Sequence, residues 1–198
     1  MKRGGRRLVP DRAGRTYRPA DGAAGERAYM SVMAGRPLTI AEADLVRSMF
    51  GSAIDIDRVV VHRSRWWPFQ PRQVLMAPDG ALWCHPRGGL YRDCFASDSL
   101  SMQALFVHEM THVWQAQRGG RWYLPLMRHP FCRYDYRIRP GKPFERYGIE
   151  QQAEIMSDSF LLRHGATRPG RPDVADYDAL LPFVAERRGG AAPASPRY

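Results

Sequence analysis

Apolar and polar positions follow two different periods along this chain, and those periods place most of its elements. Ala43, Val46, Met49 and Phe50 recur at three- and four-residue steps, the spacing of one helix face. Thr39 and Glu42 form a capping-box pattern where that helix would start, and Gly51 supplies a stop. Arg58 to Arg63, with Val59, Val60 and Val61 inside it, reads as a strand. Residues 73–77 (QVLMA) and 81–85 (ALWCH) read as two more, with Pro78-Asp79-Gly80 turning the chain between them. Gly88-Gly89 bends it again, and residues 90–95 are expected to add a fourth. The expectation is a small antiparallel sheet.

Beyond the sheet the period lengthens. Ser99 caps a helix over about 100–117, with apolar surface from Leu105, Met110, Val113 and Trp114 and an end at Gly119-Gly120. Residues 121–143 show little period and are expected to form a long loop. A second helix should run from about Phe144 to His164, closed by Gly165, and a short third one over 174–188, interrupted by Pro182. Residues 1–36 are expected to be a disordered basic arm and 189–198 a disordered tail, leaving a domain at 37–188. The fold class is α+β, a small antiparallel sheet packed on helices.

Charge changes this picture little. The chain has 30 Lys plus Arg against 20 Asp plus Glu, a net +10. Lys2, Arg3, Arg6, Arg7, Arg12, Arg15 and Arg18 crowd the start, and Arg187, Arg188 and Arg197 the end, so much of the charge reads as solvated tails. Arg133, Arg137, Arg139 and Lys142 interleave with Tyr134 and Tyr136, a pattern shared with nucleic-acid binders, but no DNA- or RNA-binding motif accompanies it. Nucleic acid is not the expected partner. Cys84, Cys94 and Cys132 are odd in number and form no CxxC pair, which points to a reducing compartment and away from a metal role for Cys94 or Cys132. No run is long enough to span a membrane, and the start lacks the apolar stretch of a secretory signal. The expected location is the cytoplasm, with export only by a dedicated machine.

The chemistry concentrates in residues 106–117, FVHEMTHVWQAQ. His108, Glu109 and His112 make an HExxH motif inside a segment that is helical on independent grounds. Residues four apart lie one turn apart on the same face, so both imidazoles can aim at one metal ion. Glu109 can reach a water on that ion and act as a general base. A catalytic zinc ion takes three protein ligands, and the next helix, IEQQAEIMSDSF, offers the third. Glu150, Glu154 and Asp158 share one face there. In one register Glu150 is the ligand and Glu154 accepts a hydrogen bond behind it. In the other Glu154 is the ligand, and Asp158 accepts from the second nitrogen of a ligating histidine.

HEMTHVWQ resembles the HExxHxxQ helix of the metallopeptidase domain found with extracellular contractile injection systems, and it is similar to the Vgr-related proteins found near type VI secretion spike genes. The resemblance covers about 37–165 and includes RPLTIAEADLVRSMFGSAIDIDRVVVH and EQQAE. It implies a zincin-like fold. The family's second motif resembles ExxAD with its first Glu as ligand, which maps onto Glu150 to Glu154, with Glu where Asp is usual, and favours Glu150. The reading is a zinc-dependent metallopeptidase-like hydrolase acting on a protein or peptide, processing or accompanying a secretion-system protein. The rival is a non-catalytic zinc-containing adaptor that docks on a type VI secretion spike or effector.

Other residues stay open. Gln115 can bond near the site or face solvent. Tyr123, Tyr134, Tyr136 and Tyr147 are candidates to donate to an oxyanion. His62, His85, His129 and His164 are expected to be surface or core histidines. Trp66, Trp67 and Phe69 form either a partner surface or a loop anchor.

Overall fold

The computed structural model describes residues 35–120, 122–127 and 133–183. The basic arm up to residue 34, the tail at 189–198, His129 and Cys132 lie outside them. Among the described residues the fold is mixed α and β, a four-stranded sheet with five α-helices.

The strands are β1 (Arg36–Pro37), β2 (Val60–His62), β3 (Leu75–Met76) and β4 (Leu82–Cys84), in the order β1-β2-β4-β3. β3 and β4 form the expected antiparallel hairpin, with Leu75 opposite Cys84. The sheet as a whole is not antiparallel. The hairpin presents β4, not β3, to β2, and Val61 pairs with Leu82 in a parallel register.

The fourth strand also lies elsewhere than expected. Residues 90–95 form no strand, and β1 pairs instead with β2, Arg36 opposite Val61. The cause is Glu42. Its buried carboxylate takes both prongs of the Arg36 guanidinium at 2.8 Å and the backbone N–H groups of Thr39 and Phe95, each at 2.8 Å. Arg36 also donates to the Arg92 carbonyl at 2.8 Å. The 92–95 segment thus spends these backbone groups on a side-chain ion pair and not on a ladder.

Helix α1 (Ile40–Phe50) has the capping box the sequence predicts, Thr39 with Glu42. Helix α2 (Leu100–Gly119) starts at Ser99, whose hydroxyl accepts from the Met102 N–H. The expected loop at 121–143 contains a short helix, α3 (Tyr123–Met127), folded back on the end of α2. A Cβ on Gly119 would sit 2.4 Å from the Tyr123 ring, so that close approach requires glycine. The next helix starts later than expected. Residues Phe144–Arg146 form a 3₁₀ turn, and α4 runs Ile149–Arg163. Helix α5 (Val174–Leu180) stops before Pro182.

Helices α2 and α4 pack face to face. Phe106, Met110 and Val113 meet the same core as Ile155, Met156 and Phe160, together with Val61, Leu75 and Leu82 from the sheet and Met49 and Phe50 from α1. Removing this much apolar surface from water, about 25 cal/mol per Å², is what holds the two helices in register. Their contact carries the polar side chains that matter most.

Candidate metal centre

His108 and His112 project from one face of α2 towards α4, and Glu150, in the first turn of α4, meets them. His108 Nε2 lies 3.5 Å and His112 Nε2 3.4 Å from the same Glu150 oxygen, Oε2. The three donor atoms all fall within 4.8 Å of one another. Glu150 is 1% exposed and His108, the more open histidine, 12%. Contacts of 3.4–3.5 Å are long for hydrogen bonds. They suit a shared cation, since donors ~2.1 Å from one tetrahedral ion sit ~3.4 Å apart. His112 Nε2 is buried and makes no hydrogen bond among the described residues, as a nitrogen reserved for a metal would be. These side chains can hold a metal ion.

The other nitrogen of each histidine is also engaged. Gln115 donates its amide N–H groups to the Ile149 carbonyl at 3.0 Å and to Gln152 Oε1 at 2.8 Å. Its Oε1 therefore faces His112 Nδ1, at 2.8 Å, and that nitrogen must carry the proton. The Nε2 lone pair is left pointing at Glu150. Gln152 is held in turn by the Tyr147 carbonyl at 2.8 Å. On His108 the second nitrogen, Nδ1, faces Glu154 Oε1 at 3.4 Å.

Charge in this cluster is strongly coupled. Burial pushes the His108 imidazole down, but Glu150 and Glu154 on its two edges, with Glu109 beside it, override burial and raise it to about 10. Glu154 is held below the usual carboxylate range by His108, against the effect of burial. Two carboxylates demand positive charge between them, either a proton or a metal ion.

A cleft of about 430 Å³ opens on the site. His108, Glu109, Glu154, Tyr134 and Arg168 line it. A cavity of about 490 Å³ runs along 133–139 but includes none of the three donors.

The expected residues thus divide. The structure brings His108, His112 and Glu150 together, with Glu154 at the outer edge of His108, and Glu109 lines the same cleft. Asp158, expected to accept from a ligating histidine, does not. It is fully buried one turn further on, where it binds Arg168 Nε at 2.7 Å, Arg171 Nε at 2.9 Å and the Tyr136 hydroxyl at 2.7 Å. Those partners leave it no room for an imidazole. Of the four tyrosines, Tyr134 is the one in the cleft. Tyr136 bonds Asp158 and Tyr177, and Tyr147 accepts from the Arg139 N–H. His62 stacks on Trp83, His85 accepts from the Arg87 N–H, and His164 bonds the Phe160 carbonyl, so none joins the cluster. Cys94 lies 3.3 Å from both Thr39 Oγ1 and Ser97 Oγ, apart from the cluster. Gln152 and Arg168 were not expected at all. Both act across elements, and no local pattern announces either.

No protein-family model matches the chain. The chain is 37% identical over 134 residues to the type VI secretion system spike protein VgrG2b of Pseudomonas aeruginosa, a stretch that is 65% of this chain and 13% of that protein. Among solved structures, the effector domain of Pseudomonas aeruginosa VgrG2b superposes with a TM-score of 0.61 at 31% identity, over 78% of this chain and 86% of that one. The chain belongs to the VgrG2b effector-domain family. It covers most of the VgrG2b effector domain but only 13% of the length of the spike protein. Kinship with VgrG2b agrees with the Vgr-related resemblance read from HEMTHVWQ and EQQAE.

Proposed function

We propose that the chain is a zinc-dependent, metallopeptidase-like hydrolase with a zincin-like fold, acting on a protein or peptide. The observation that carries this reading is the meeting of His108 and His112 with a single oxygen of Glu150, beside a cleft that Glu109 lines. Two imidazoles and one carboxylate are a donor set that suits zinc and leaves a position open. Bound there, zinc supplies a Lewis acid that makes water a better nucleophile and polarises a substrate carbonyl.

The remaining steps belong to side chains. Glu109 takes the proton of the attacking water and passes it to the leaving amine. Tyr134, exposed in the same cleft, donates its hydroxyl proton to the oxygen on which negative charge develops. Gln115 and Glu154 fix the two imidazoles in their ligating orientations.

Kinship with an effector domain supports a role tied to type VI secretion. The protein would be made in the cytoplasm, exported by a dedicated secretion machine and carried by a spike protein, which is a partner in this reading. A second reading, an adaptor that keeps its metal and docks on the spike without cutting anything, draws on the spike protein that the chain resembles.

Metal analysis of the purified chain, with a proteolysis assay of Glu109→Gln against wild type, tests the proposal. One zinc per chain in both and turnover only in the wild type is the expected result. Turnover undiminished in Glu109→Gln would remove Glu109 as base. Metal without cleavage of any peptide, together with capture by a spike protein, would favour the adaptor.

A further inference from the structure

The loop between β2 and β3 exposes three aromatic rings that the core does not use. Trp67 is 41% and Phe69 78% exposed, and Trp66 is exposed beside them. Trp67 and Phe69 pack edge to face, 5.7 Å between centroids. An apolar ridge of this kind costs solubility unless something covers it.

The ridge is built, not loose. Gln70, only 4% exposed, sits beneath it and ties its backbone down. Its side-chain oxygen accepts from the Trp66 N–H at 2.9 Å, and its amide donates to the carbonyls of Val74 and Trp83, each at 3.0 Å. The Gln70 N–H closes a turn on the Trp67 carbonyl, and Arg65 donates to the Pro68 carbonyl at 2.7 Å. A buried glutamine with three backbone partners holds the rings outward at a fixed place.

Within the loop the charge has one sign. No Asp or Glu occurs from residue 58 to residue 78. Arg65, Arg72 and Arg87 are exposed, and none pairs with a carboxylate among the described residues. They belong to one patch: a Cβ on Gly88 would collide with the Arg72 carbonyl, so the loop packs on the 87–88 turn. The buried His85 imidazole lies below its usual range, through burial first and then through Arg65, Arg87 and Arg72. Tryptophan with arginine is the composition that seats proteins at a lipid interface, the rings among the headgroups and the guanidinium groups on lipid phosphate.

We propose that this loop docks the protein on an anionic lipid surface, with Trp66, Trp67 and Phe69 in the headgroup layer and Arg65, Arg72 and Arg87 against its phosphates. The chain would lie on the membrane without crossing it; among the described residues no helix is long and apolar enough to span one. Gln73 and Val74, at the end of the loop, and Leu75, which starts β3, line the cleft beside Glu109, so docking holds that cleft close to the surface. The inference does not depend on the hydrolase reading, because neither the ridge nor its arginines belong to the metal centre.

The test uses the full chain with vesicles of phosphatidylglycerol in phosphatidylcholine, against pure phosphatidylcholine and against free inorganic phosphate. Co-sedimentation measures binding, and brominated acyl chains report burial of tryptophan by quenching. Wild type should sediment with the anionic vesicles and be quenched, and free phosphate should not displace it. The variant Trp67→Ser/Phe69→Ser should lose at least about tenfold in partitioning and most of its quenching, with an unchanged melting temperature. Arg65→Gln/Arg72→Gln/Arg87→Gln should lose its preference for anionic over neutral vesicles. Equal sedimentation of wild type and the aromatic variant, without quenching, would assign binding to the basic arm and overturn the proposal. So would a dimer that the aromatic substitutions abolish in a chain that binds no vesicles, since a second copy would then cover the ridge.

Discussion

His112 Nδ1 lies 2.8 Å from Gln115 Oε1, one helical turn away, and that contact decides which imidazole nitrogen is left for a metal. Gln115→Leu removes the acceptor and frees the ring to adopt the wrong tautomer. Metal affinity should fall about 10–100-fold, as for other groups that orient a ligating histidine. A competitive chelator titration measures it, and wild-type affinity would show that the ring is oriented by something else.

Glu150 and Glu154 should separate under the same titration. Glu150→Gln removes a donor and should abolish tight binding, whereas Glu154→Gln should weaken it only about 10–100-fold. With metal roughly a thousandfold above its Kd, stripping it should cost wild type about 4 kcal/mol, read as a lower melting temperature in chelator. Glu150→Gln should show no such shift. If Glu154→Gln is the variant that loses the metal, the other register is right.

Asp158 provides the opposite pattern. Its carboxylate holds Arg168, Arg171 and Tyr136 together and touches neither histidine. Asp158→Asn should cost about 3 kcal/mol by leaving two guanidinium groups poorly paired. Metal affinity should stay near wild type. A large loss of affinity with intact stability would return Asp158 to the metal centre.

Acid should weaken the fold through Glu42. Burial raises its carboxyl, but Arg36 and the N–H groups of Phe95 and Thr39 outweigh burial and hold it below 4.5, the ordinary value. A depressed folded value means that the contribution is fully present above the unfolded value and is lost as pH falls through the folded one. Stability should therefore be flat in this respect above about pH 5 and drop below ~4.5. Glu42→Gln should cost about 3 kcal/mol at pH 7 and shrink the acid-side drop. Urea unfolding across pH measures both, and an unchanged slope in the variant would place the acid sensitivity elsewhere.

Local signals were legible where they are made by neighbours in the chain. Thr39 with Glu42 and Ser99 with Met102 cap the helices that their patterns announce. Glycine marked the ends of α1 and α2, and the β3–β4 hairpin follows from its turn. The sheet departs from all-antiparallel because β4 pairs with β2 in parallel, and the strand expected at 90–95 is absent for a separate reason. The Arg36–Glu42 pair draws the Arg92 carbonyl and the Phe95 N–H to itself, a contact across more than fifty residues that no local window contains. Helix α3 was missed because it depends on a ring packing against Gly119, not on a period of its own.

What the sequence by itself determined is that His108, Glu109 and His112 share a helix and that an acidic face follows on the next one, because side chains four apart on a helix must point the same way. It left Glu150 and Glu154 as rivals, since both lie on that face. Only the packing of α2 against α4 places the two differently around the histidines. The depth at which the buried faces interlock sets Glu150 Oε2 within 3.5 Å of both Nε2 atoms, leaves Glu154 at the Nδ1 edge of His108, and turns Asp158 away to two arginines. Helix register is a property of the whole core, and a core is assembled from residues that are distant in the chain.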